Sequence, residues 1–163
     1  MTTTPHYDRV VDFHVKAGAT INLSPTIPSA EDRLLRAKLI LEEALETVTA
    51  LGCAVFVRDH VGKDPIDEIG PFYRELDLDL NDKLDYGPEP NLEEIADGCA
   101  DLRVVTTGTL VTCGIHDAEL QQEVDENNLA KFGPGGRRRE DGKWLKPPGH
   151  QPPDIARVLR EQA

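Results

Sequence analysis

The chain has 163 residues, 39% of them hydrophobic and 29% charged, and its 18 Lys and Arg against 30 Asp and Glu leave a net charge of -12. That length predicts one domain with a real core. The acidic balance excludes a nucleic-acid or membrane-surface binder, which needs a broad basic face, while a small anionic substrate stays compatible if metals and local cations neutralise it. The three cysteines, Cys53, Cys99 and Cys113, form no Cys-x-x-Cys, so neither a disulfide framework nor a zinc site is expected, and a reduced cytoplasm fits. Residues Met1 to Val15 carry early charges without an apolar run, so no signal peptide is expected. The apolar stretches are too short to span a bilayer.

Taken in chain order, the pattern predicts about five helices. The first covers about Pro5–Ala17, with Val10, Val11, Phe13 and Val15 as apolar members, and ends near Gly18. Asn22 to Pro28 reads as a loop. Ser29 is a good N-cap, and Glu31 and Asp32 suit the positive end of the helix dipole, so a second helix runs to about Leu51 and stops at Gly52. Residues 53–90 read as an irregular excursion. Within it Ala54–Val57 is compatible with a short strand or a helix extension, Pro71–Leu76 with a short helix, and Glu75–Asp85 is strongly acidic. Asn91 and Glu94 make a capping-box-like start for a third helix to about Cys113. Its stretch Val104–Thr109 is β-branched, so burial must hold it helical. Asp117 is expected to cap a fourth helix reaching about Phe132, which Gly133-Pro134-Gly135-Gly136 ends. A basic tail at about 133–150 reads as a loop, and Pro152-Pro153-Asp154 opens a short final helix.

Two acidic clusters carry the chemistry. Glu42-Glu43-Ala44-Leu45-Glu46 lies on the second helix, and Glu94-Ile95-Ala96-Asp97 with Asp101 on the third. At ~100° per residue Glu42 and Glu46 lie ~40° apart, as do Asp97 and Asp101. Leu35 and Leu39 share the arc of Glu42 and Glu46, so the acids continue an apolar stripe. Like charges at this spacing destabilise a helix slightly, and a hard divalent cation, Mg²⁺ or Mn²⁺, offsets that through oxygen ligands. The competing reading is a solvated acidic face, common on surface helices.

Downstream, Asn127, Asn128 and Lys131 close the fourth helix, and Arg137, Arg138, Arg139, Lys143 and Lys146 follow around glycines. Glycine lets backbone N–H groups approach an anion, and Arg or Lys supplies charge. A basic tail balancing an acidic protein is the plainer reading. There is no Walker A loop. Trp144, the single Trp, can stack on a base, but anchoring of the tail is the preferred role. His14, His60, His116 and His150 show no metal-type spacing, and no nucleophilic triad is legible.

These motifs resemble the all-α nucleoside triphosphate pyrophosphatase superfamily, with its MazG-like proteins, dimeric dUTPases and phosphoribosyl-ATP pyrophosphohydrolases. Leu41-Glu42-Glu43-Ala44-Leu45-Glu46 matches the Glu-Glu-x-x-Glu motif, and Glu123 to Lys131 with Asp141 to Pro147 looks like the small MazG-like, dUTPase-like proteins. For the second motif, Glu-x-x-Asp, two alignments stay open. Glu94-x-x-Asp97 is the literal match. Asp101-Leu102 fits the apolar run that follows, but then the partner acid falls at Gly98. Asp97 shares a face with Asp101 and can replace that acid, so Asp97 and Asp101 are preferred and Glu94 is held in reserve.

The resemblance implies an all-α antiparallel bundle of four to five helices over residues 1–163, assembling as a homodimer or dimer of dimers. It implies a hydrolase that cuts a (d)NTP between the α and β phosphates, giving a monophosphate and pyrophosphate, with Mg²⁺ or Mn²⁺ on Glu42, Glu43, Glu46, Asp97 and Asp101. Glu43 is the candidate general base. Asn128, Lys131, Arg137, Lys143 and Lys146 are the candidate substrate-binding residues. dUTP is one candidate substrate and a purine dNTP, dGTP or dATP, the other. A non-catalytic acidic helical dimer that binds metal, nucleotide or protein is the alternative.

Overall fold

The computed structural model describes residues 2–53, 88–138 and 144–163. The expectations for Ala54–Val57, Pro71–Leu76 and Glu75–Asp85, and the candidate residue Lys143, lie outside them. Among the described residues are five helices and one two-stranded ladder. The helices are α1 (Pro5–Ala17), α2 (Ala30–Ala50), α3 (Leu92–Cys113), α4 (Asp117–Ala130) and α5 (Ile155–Glu161), and β1 (Arg137–Arg138) pairs antiparallel with β2 (Trp144–Leu145). No described helix is long and apolar enough to cross a membrane. The chain groups into two compact units, Met1–Arg33 with Thr107–Ala163, and Leu34–Thr106.

In the first unit, Thr4 caps α1 by accepting the Tyr7 N–H, and Pro5 takes the first turn, where no N–H is needed. Gly18 ends the helix at φ 65, a left-handed conformation that glycine adopts without a steric penalty. Tyr7, Val10 and His14 of α1 are buried, as are Val111 and Thr112 of α3 and Val158 and Gln162 at the C-terminus. The connection after α1 is laid along the end of α3. Asn22 and Thr26 donate their N–H groups to the carbonyls of Val111 and Cys113, and the Asn22 amide donates to the Thr112 carbonyl at 2.7 Å.

Asp117 does not cap α4. His116 stands at the N-cap without a side-chain bond, and the Asp117 carboxylate instead accepts the N–H and the hydroxyl of Thr4. A capping carboxylate must turn back on its own helix, and here a tertiary pair of donors takes it. Midway along α4, Glu123 accepts the Asp154 N–H at 2.8 Å and pairs with Arg157 at 2.6 Å, fastening the cap of α5. Gln162 brackets His116, accepting its N–H and donating to its carbonyl.

The basic tail is not wholly a loop. Arg137 pairs with Leu145 and Arg138 with Trp144. Trp144 donates its indole N–H to the Lys131 carbonyl and lies 4.9 Å, centroid to centroid, from the Phe132 ring. An unpaired helix-end carbonyl and an aromatic ring thus fold the tail back onto the end of α4, a long-range pairing that the loop composition concealed.

Helix α2 begins in the first unit after Ser29, whose hydroxyl accepts the Asp32 N–H at 3.0 Å, and from Leu34 onward it belongs to the second. It ends in a turn with Gly52 at φ 82. Asn91 caps α3, its side-chain oxygen accepting from Glu93 N at 3.0 Å and Glu94 N at 3.4 Å. The second half of the expected capping box is replaced, because the Asn91 N–H donates to the Ala50 carbonyl at 3.0 Å. That bond ties the end of α2 to the start of α3. Threonines inside the helices satisfy their hydroxyls on carbonyls four residues back, Thr47 on Glu43, Thr49 on Leu45 and Thr106 on Leu102.

Candidate functional site

The second unit places the two acidic clusters on facing helices. On α2, Glu42 and Glu46 are exposed and Glu43 is half-buried. On α3, Glu94, Asp97 and Asp101 are exposed, and Gly98 between them is buried. A cleft of about 420 Å³ runs between the helices. Leu45, Glu46, Thr49 and Ala50 line it from α2, and Glu94, Asp97, Gly98 and Asp101 line it from α3. The spacing 94, 97, 98 and 101 is one helix face, so all three α3 acids that the sequence left open reach the same cleft. Glu42 and Glu43 do not line it.

The electrostatics agree with that gathering. The Glu43 carboxyl is held above the usual carboxylate range, first by loss of solvation, then by the charges of Asp101, Glu46, Glu42 and Asp97. Four acids from two helices therefore act on one carboxyl. A carboxyl so placed favours its proton and also favours any cation that relieves the repulsion.

The donor set is all oxygen, which fits a hard divalent cation and not zinc or copper. Among the described residues no three carboxylate, thiol or imidazole groups already stand close enough to hold an ion. The exposed carboxylates must rotate inward to share one.

Gly98 explains why an acid is missing from that position. A β-carbon there would stand 2.6 Å from the Thr47 hydroxyl oxygen. No side chain fits between α2 and α3 at this point, so a ligand at 98 is sterically barred. The sequence had read this glycine as a lost ligand. The signal for its true place was a glycine inside a helix, which costs ~1 kcal/mol and calls for a packing reason. Leu45, Thr49 and Ala50, which give the cleft its less polar wall, carried no such signal.

The candidate substrate residues belong to the first unit. Asn128 is exposed and accepts from the Lys131 ammonium through its side-chain oxygen. Lys131 is half-buried beside Trp144, while Arg137, Arg138 and Lys146 are exposed around the small ladder. Asn127 is engaged structurally, donating to the Gln151 carbonyl at 2.7 Å and pairing with His150 at 3.2 Å. Trp144 is held by its indole N–H, in keeping with an anchoring role.

A model of the phosphoribosyl-ATP pyrophosphohydrolase family matches residues 10–128. The match takes in both acidic clusters and ends at Asn128, ahead of the basic tail. No curated protein matches the chain.

Proposed function

The chain belongs to the phosphoribosyl-ATP pyrophosphohydrolase family, and from that premise we propose that it hydrolyses a nucleoside or deoxynucleoside triphosphate between the α and β phosphates. Membership makes it a nucleotide pyrophosphohydrolase of the all-α superfamily, in a family that depends on divalent metal. The observation that carries the finer reading is the convergence of Glu46, Asp97 and Asp101 from two helices on one cleft, with Glu43 close enough to feel their charges.

In this reading Glu43, Glu46, Asp97 and Asp101 hold Mg²⁺ or Mn²⁺, with Glu42 and Glu94 at the margins. The bound cation supplies positive charge against the phosphates and Lewis acidity at the reacting phosphorus. Glu43 accepts the proton of the attacking water. Water adds to the α phosphorus, the bond from that phosphorus to the bridging oxygen breaks, and pyrophosphate leaves with the bonding pair. Asn128, Lys131, Arg137, Lys143 and Lys146 neutralise the phosphates of substrate and leaving group. dUTP or a purine deoxynucleotide is the proposed substrate. Phosphoribosyl-ATP is the second reading, favoured by the description of the matching family. The same bond change would give phosphoribosyl-AMP and pyrophosphate.

A homo-oligomer, a dimer or dimer of dimers, is part of the proposal. Leu34, Leu35, Leu41 and Leu92 of the second unit are between 47% and 81% exposed, apolar side chains that a second copy could cover. Cys53, Cys99 and Cys113 form no disulfide, in keeping with a reducing, cytoplasmic setting.

The test incubates the purified chain with each NTP, each dNTP and phosphoribosyl-ATP, with Mg²⁺ or Mn²⁺, and resolves the products by chromatography. Monophosphate and pyrophosphate in equal amounts, lost in Glu46→Gln, are expected. The nucleotide with the highest kcat/KM names the substrate. Release of inorganic phosphate instead, or no turnover of any of these by metal-loaded protein, refutes the reading.

A further inference from the structure

Gly98 occupies the middle of the α3 face that lines the acidic cleft, and its backbone does not explain it. It lies in a regular helix and is absent from the glycines with positive φ. Alanine is the better helix former at such a position. The reason for glycine is across the cleft. A β-carbon on Gly98 would stand 2.6 Å from Thr47 Oγ1, 3.2 Å from Thr47 Cα and 3.3 Å from Thr47 Cβ. Non-bonded carbons settle at ~3.5–4.0 Å, so the helices cannot keep this approach with any larger residue at 98.

Thr47 cannot turn away at no cost. It is buried, and its hydroxyl donates to the Glu43 carbonyl at 2.7 Å. The contact sits among the acids. On α2 it is four residues after Glu43 and one after Glu46. On α3 it is one residue after Asp97 and three before Asp101. The helix pair is also clasped nearby, where the Asn91 N–H meets the Ala50 carbonyl. Added bulk at 98 must therefore push the α3 face away from the α2 face close to the carboxylates, instead of sliding the helices harmlessly.

We propose that Gly98 is the positioning residue of the cation site. Packed on Thr47 without a β-carbon, it sets the separation at which carboxylates of α2 and α3 share one divalent ion. The proposal rests on the metal reading of the acidic cleft. In Gly98→Ala the helices part by about 0.5–1 Å, the distance needed to restore normal contact with Thr47. Misplacement on that scale costs metal sites and catalytic constellations ~10–100-fold.

The experiment titrates Mn²⁺ into the full-length chain and follows the free-ion paramagnetic resonance signal. The unsubstituted protein, Gly98→Ala and Thr47→Ala/Gly98→Ala are compared, with the folded fraction checked by circular dichroism. Affinity at least tenfold weaker in folded Gly98→Ala is expected. The double variant loses the Oγ1 clash but keeps the Cα and Cβ crowding, so its affinity should fall between the two. Turnover at saturating Mn²⁺ should recover more fully than at limiting Mn²⁺. A loss of stability alone lowers the active fraction without moving the dissociation constant, so it does not imitate this result. Wild-type affinity in folded Gly98→Ala overturns the proposal and leaves the metal reading standing. If Gly98→Ala does not fold, wild-type affinity in the folded double variant overturns it equally. Absence of Mn²⁺ binding by the unsubstituted protein removes the metal reading, and this proposal with it.

Discussion

Replacing Asp101 by Asn keeps the side-chain shape and removes one charge from the cleft, and the acidic constellation demands opposite responses with and without metal. Asp101 is the first of the charges that raise the Glu43 carboxyl, and it faces Glu46, Glu94 and Asp97 in the same cleft. With Asp97 it forms a like-charged pair four residues apart on α3, which costs about 0.2–0.5 kcal/mol. Its exposed partners across the cleft add a comparable amount at low salt. Without metal, Asp101→Asn should therefore be more stable by about 0.5–1 kcal/mol, or about 1–4 °C in Tm for a chain of this length. That gain should fade in 1 M salt, where the screening length falls to ~3 Å. With Mn²⁺ at a hundred times its dissociation constant, the unsubstituted protein should gain about 2.7 kcal/mol, or about 5–10 °C. A tenfold loss of affinity in the variant removes about 1.4 kcal/mol of that. Differential scanning calorimetry with EDTA and with Mn²⁺ reads all four values. A purely solvated acidic face gives the first gain and no metal effect in either protein. An equal Mn²⁺ response in both proteins refutes the assignment of Asp101, and a destabilised metal-free variant refutes the charge-crowding account.

Two glycines test the steric reasoning. Gly114 has φ 68, and a β-carbon there would stand 2.2 Å from the Ser24 carbonyl oxygen, whereas Gly18 has φ 65 with nothing within 4 Å. Gly18→Ala should cost only the left-handed penalty, ~1–2 kcal/mol, and Gly114→Ala about 3 kcal/mol in all once overlap is added. Urea midpoints measure both, and equal losses would show that the Ser24 contact does not matter. The pH dependence has two limbs of opposite sign. Hydrogen bonds from Thr2 hold the Glu119 carboxyl below its usual range, and the Asp154 N–H followed by Arg157 does the same for Glu123. Their stabilisation is complete above the ordinary value of 4.5 and is lost as pH falls through the depressed values. Glu43 runs the other way, favouring the folded state below 4.5 and ceasing to do so as pH rises through its raised value. Glu123→Gln should flatten the acid limb of a stability profile, and Glu43→Gln should raise metal-free stability near neutral pH. A Glu43→Gln variant less stable than the parent at pH 7 in EDTA would contradict this.

Local chemistry was enough to place most of the helices. Thr and Ser hydroxyls, Asn91 and the positive-φ glycines act within a few residues of where they stand. The start of α2 after Ser29, the cap at Asn91 and the end of α1 at Gly18 were therefore legible from short windows of sequence. So was the sharing of a helix face by Asp97 and Asp101, because 3.6-residue periodicity needs no partner. Asp117 was misassigned because a carboxylate that suits a cap by composition found stronger donors at Thr4, 113 residues earlier in the chain. The ladder at Arg137–Arg138 and Trp144–Leu145 went unseen because two-residue strands carry no period, and an indole reaching the Lys131 carbonyl holds them. What tertiary structure alone decided is which acids face one another. Sequence puts carboxylates on two helices, but the packing of α3 on α2, where Gly98 meets Thr47 and the Asn91 N–H meets the Ala50 carbonyl, brings Asp101 close enough to raise the pKa of Glu43. Electrostatic coupling falls off with distance, and distance between helices is a property of their packing.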